Sequence, residues 1–108
     1  MQTIIYGGDA YLTGNEIADA LLAYGRALGQ EERAELVEIP VREPDGGVVM
    51  AKFLIGPASQ IVAKEVPGKG PELEDPELVE RLRTLTRGVE SPTAAPVDMS
   101  DDDAYDLG

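Results

Sequence analysis

The chain opens with two short β-type runs, residues 2–6 and 9–13, on either side of Gly7-Gly8. Glycine enters the positive-φ region that two-residue hairpin turns need, so the runs are expected to pair as a hairpin. One strand followed by a loop is the rival reading. The period then changes. Ile17, Leu21, Tyr24 and Leu28 recur at helical spacing, flanked by Ala18, Leu22 and Gly25, and predict a helix. Thr13-Gly14-Asn15-Glu16 matches a capping box, in which the Thr13 hydroxyl takes an N3 amide and Glu16 reaches back. Gly29 is placed to end the helix.

Residues 35–42 alternate, with Val37, Ile39 and Val41 on one face and Glu38, Pro40 and Arg42 on the other. Pro40 has no N–H, which predicts an edge strand or one with a free side. Glu43-Pro44-Asp45-Gly46-Gly47 is a turn signal, Val48–Ile55 the next strand, and Ser59–Val66 another after Gly56-Pro57. Pro67-Gly68-Lys69-Gly70-Pro71 is a connector. Asp75-Pro76-Glu77 reads as N-cap, first-turn proline and acidic first turn. Leu78, Val79, Leu82 and Leu85 then form an apolar stripe, Arg81, Arg83 and Arg87 lie towards the C-terminal end, and Gly88 ends the helix. The expected fold class is α+β: order β-β-α-β-β-β-α, a mainly antiparallel sheet with helices packed on it.

Tyr6-Gly7-Gly8, the capped alanine-rich helix and Leu54-Ile55-Gly56-Pro57 together resemble uncharacterised small proteins of high-GC Gram-positive bacteria and their phages, over about residues 3–66. The resemblance implies the same order of elements and nothing about activity.

Charge divides the chain in two. Its 108 residues carry 9 basic and 21 acidic side chains, a net charge of −12. All the basic residues fall within 1–88, read as one folded domain. Residues 89–108 carry Glu90, Asp98, Asp101, Asp102, Asp103 and Asp106 with no base, and read as an acidic, flexible tail. No cluster of Lys and Arg is present to neutralise phosphates, so direct nucleic-acid binding is not expected. No run is long and apolar enough to span a bilayer, and no basic n-region precedes one. A cytoplasmic protein without membrane attachment is expected.

The chain has no Cys and no His. Thiolate nucleophiles, Cys-based metal centres and triads with a His base are excluded. No cofactor, metal site or catalytic residue is assigned. Gly68-Lys69-Gly70 lacks the spacing of a phosphate loop. Asp101 to Asp106 lack the Gly and Glu positions of a calcium loop. Lys52, within an apolar strand, is expected to extend its amine to water. Amides at the helix start make Tyr6, Asp9, Tyr11 and Asn15 the candidate ligand-binding residues.

One strand stands out. Val48–Ile55 has a single polar residue, so Val49, Ala51, Phe53 and Ile55 facing the helices leave Val48, Met50 and Leu54 on the second face. Three covers are available: helix 76–87, the tail, or another protein chain. The leading expectation is a non-enzymatic interaction module, with Val48, Met50 and Leu54 as interface and a homodimer as its simplest form. The alternatives are an acidic binder of a basic protein, with Tyr105 and Leu107 as apolar anchors among the tail carboxylates, and a small-ligand or enzyme site near residues 6–15.

Overall fold

The computed structural model describes residues 1–67 and 70–90. Seven elements follow one another: β1 (Gln2–Tyr6), β2 (Asp9–Thr13), α1 (Asn15–Gln30), β3 (Glu35–Arg42), β4 (Val48–Ile55), β5 (Val62–Glu65) and α2 (Pro76–Glu90). The order is the one the sequence predicts. All strand pairings are antiparallel, in one five-stranded sheet of order β4-β3-β2-β1-β5. Among the described residues no helix is long and apolar enough to cross a membrane.

Gly7 and Gly8 take φ of 62° and 88°, the pair of left-handed values that a type I′ turn requires, and Tyr6 faces Asp9 across the hairpin. At the second hairpin, Gly46 takes φ 92° and the Glu43 amide donates to the Gly47 carbonyl. β3 lies second from the sheet's edge, yet β2 pairs with it only at Leu12 and Arg42. The free side expected from Pro40 is therefore on the β2 flank. There the Pro40 carbonyl accepts the Thr13 hydroxyl at 2.8 Å.

That bond corrects the expected cap. Thr13 is buried and engaged with β3, Gly14 is the N-cap without a side-chain cap bond, and α1 starts at Asn15. Gly14 is required by contact: a Cβ there would lie 1.7 Å from the Leu73 carbonyl oxygen. The expected stop at Gly29 is also displaced, because α1 continues to Gln30 and Glu32 takes the left-handed turn instead. β5 is shorter than expected. Its first residues are spent on a turn, in which the Ser59 amide donates to the Gly56 carbonyl and the Gly56 amide donates to Ser59 Oγ.

The core lies between the sheet's inner face and the helices. Ile17, Leu21, Tyr24 and Leu28 of α1 meet Ile4, Val37, Ile39, Val41, Phe53 and Ile55. Small residues flank the α1 stripe, and a Cβ on Gly25 would come 3.0 Å from Ile55 Cγ2. α2 begins as predicted, with Asp75 Oδ1 accepting the Leu78 amide. It runs to Glu90, past the expected end at Gly88. Thr86 and Val89 are buried while Leu85 is exposed, so the buried stripe turns away from the expected position. α2 packs against α1 and adds Leu78, Val79, Leu82 and Val89 to the same core.

Candidate interaction surface

The sheet coils strongly around its inner face. Flat strands lie about 4.8 Å apart, which would hold β4 roughly 14 Å from β1, three places away in the order. Instead the Phe53 ring lies 5.4 Å from that of Tyr6 and 5.0 Å from that of Tyr11, centroid to centroid. The Tyr6 hydroxyl donates to the Leu54 carbonyl. The two hairpins thus meet at the Leu12–Arg42 corner and fold towards each other over an aromatic contact.

This geometry sorts the candidate ligand-binding residues. Tyr6, Asp9 and Tyr11 share the inner face at the first hairpin, Tyr6 and Tyr11 held by Phe53 and Asp9 exposed. Asn15 sits beyond the opposite end of β2, at the start of α1. Its amide donates to Glu72 Oε2 at 2.5 Å, while Glu72 Oε1 accepts the Met1 ammonium at 3.1 Å. The anion that a helix N-terminus attracts is therefore supplied by the chain itself. These bonds, the Asn15 amide foremost, hold the Glu72 carboxyl below its ordinary pKa. Burial is the main cause that raises the Tyr24 phenol above its usual value, with the Glu35 carboxylate adding to it.

The interface residues fall where the alternation puts them. Val48, Met50, Lys52 and Leu54 point away from the helices, opposite Arg42, Pro40, Glu38 and Leu36 of β3. Val48 is 50%, Met50 55% and Leu54 60% exposed. α2 packs on α1, and its Leu78, Arg81, Leu82 and Leu85 share an open cleft with Leu36, Glu38 and Lys52, leaving Leu36, Met50 and Leu54 exposed. Lys52 is exposed, as expected, and pairs across the strands with Glu38. Sequence reasoning missed Leu36, which is 63% exposed at the Leu54 end of the same face. Its even-numbered register with Glu38 and Arg42 was the available signal, masked by the polar character of those neighbours.

The apolar face extends beyond β4. Ile5 and Val62, partners across β1 and β5, are also exposed. With Leu54, Tyr6 and Pro57 they line an open cleft of about 720 Å³, which contains no ionised side chain. Such a cleft has the character of a largely apolar contact surface. The tail residues Asp101, Asp102, Asp103, Tyr105 and Asp106, and the Lys69 loop, lie outside the described residues. Comparison with protein-family models, curated proteins and solved structures found no match.

Proposed function

We propose that the protein is a non-enzymatic interaction module whose outer sheet face receives another protein chain. One observation carries the reading: Leu36 and Leu54 at one end of the β3–β4 outer face, and Met50 and Val48 on the other side of the Glu38–Lys52 pair, are all half or more exposed. Full burial of one such side chain is worth about 1.5–3 kcal/mol, so leaving several of them half in water forgoes a large stabilisation. A small domain that exposes a patch of this kind has the signature of a contact site. The absence of Cys and His supports a binding role over catalysis.

The test is to place Asp at Met50 and at Leu54. Both side chains point outward, so the fold and its circular dichroism are expected to persist. Loss of native oligomer mass, or of a protein partner retained from source-cell lysate by the wild type, supports the reading. Unchanged mass and unchanged partners in both folded variants would sink it.

A further inference from the structure

We infer that the partner is a second copy of the chain, joined side by side through the free edge of β4, which borders this surface, in antiparallel register with Met50 at the two-fold axis. The inference rests on the interaction reading above and specifies its partner. β4 is the last strand in the sheet, paired on one side only. Which of its main-chain groups are free follows from Pro40. Pro40 faces Met50, carries no N–H, and turns its carbonyl away from β4 to the Thr13 hydroxyl. Pro40 and Met50 therefore exchange no ladder bonds, and the same parity applies at every second pair. The N–H and C=O of Val48, Met50 and Lys52 point outward. Leu54 belongs to the same set, and its carbonyl is already taken by the Tyr6 and Ser59 hydroxyls. The open stretch runs from residue 48 to 52, closed by Leu54 at one end and the Gly46-Gly47 turn at the other.

A stretch open from 48 to 52 is complementary to itself. In an antiparallel copy with Met50 opposite Met50, Val48 faces Lys52 and every outward group of the three residues finds a partner. A shift of two residues one way would set Val48 against Leu54, whose carbonyl is engaged, and the other way would set Lys52 against Gly46, whose amide already donates to the Glu43 carbonyl. Side chains suit the same register. Met50 meets its own copy on the outer face. Val49, 47% exposed on the helix side, meets Ala51. Charge permits the approach, because the chain has no Asp or Glu between Asp45 and Glu65. The two Lys52 side chains are offset by about four residues, roughly 14 Å, more than the Debye length of about 8 Å at physiological salt.

The chain has no native cysteine, so single cysteines report the register directly. Met50→Cys, Val48→Cys and Leu54→Cys are made in the full chain and oxidised. A hydrogen-bonded antiparallel pair sets Cα atoms about 5.5 Å apart, within disulfide reach. Residue 48 lies roughly 14 Å from its copy and residue 54 roughly 27 Å. The expected result is a disulfide dimer from Met50→Cys alone. Wild type sediments at twice the 11.5 kDa chain mass, and Met50→Pro, which removes an outward N–H, as a monomer. Equal cross-linking at all three positions, or strongest at residue 54, overturns the edge register and leaves the outer face itself as the contact. A monomeric wild type with no cross-link overturns the second copy. In that case a lysate partner lost on Met50→Asp would uphold the interaction reading with a different chain.

Discussion

The amide of Arg33 returns to the carbonyl of Leu28 at 2.9 Å, and closes α1 around Glu32 in the left-handed region at φ 55°. The Glu32 amide donates to the Gly29 carbonyl at 3.2 Å, completing the two bonds of a Schellman motif with Glu at the position usually held by glycine. The left-handed conformation costs a residue with a Cβ roughly 1–2 kcal/mol. Glu32→Gly is therefore expected to stabilise the fold by about 1 kcal/mol, less the greater freedom glycine gains in the unfolded chain. In a domain of this size that is a rise in Tm of about 4–8 °C. A thermal melt showing no rise would mean that the cap is not held as described.

Gly14 and Leu73 fix the approach to α2. A Cβ on residue 14 would meet a backbone carbonyl, which cannot rotate aside as a side chain does. Gly14→Ala is expected to destabilise by about 3 kcal/mol, the upper end of overpacking costs. Urea unfolding is the measure. Gly88→Ala serves as control, since nothing lies near its Cβ and Ala favours the helix.

These two glycines show how much of the fold the residues announce. The hairpin at Gly7-Gly8, the Ile17-to-Leu28 stripe and the alternation of β3 depend on neighbours a few residues apart, and each is visible in the chain. Thr13 and Gly14 are different. Their local spacing fits a capping box, but Thr13 serves Pro40 and Gly14 makes room for Leu73, contacts that no local pattern encodes. The coil of the sheet is equally hidden. Tyr6 and Leu54 are 48 residues apart, and the only hint is that the single Phe falls on the same face of its strand as two tyrosines on theirs. The apolar second face of β4 was legible because alternation fails there. The side taken by α2 was not, because an amphipathic stripe does not say which face of a sheet it joins.

Glu72 makes the fold sensitive to acid. Its carboxyl has a lowered pKa in the folded protein, through the Asn15 amide first and then the Met1 ammonium. The folded state therefore binds its proton less readily than the unfolded chain. The resulting stability is fully present above the ordinary glutamate value of 4.5 and is lost as pH falls through the lower folded value. Glu72→Gln keeps an amide oxygen for Asn15 and removes the charge. Its melting temperature is expected to lie below wild type at pH 7, and the gap is expected to narrow as pH drops below 4.5. A gap constant with pH would show that the carboxylate is not the group responsible.

Salt separates self-pairing from docking on a basic partner by its sign. Two chains of net charge −12 repel, and the lack of carboxylates within β4 itself reduces that repulsion only locally. Added salt shortens the screening length from about 10 Å at 0.1 M to about 3 Å at 1 M. The long-range repulsion is then removed, while main-chain pairing and burial of Met50 and Val49 remain. The dimer is expected to tighten as salt rises, read by sedimentation equilibrium across a series of chain concentrations. A complex held by attraction between acidic and basic surfaces would loosen over the same range. Self-association that weakens with salt would show that ionic contacts hold the dimer, and would rule out the apolar edge as its main support.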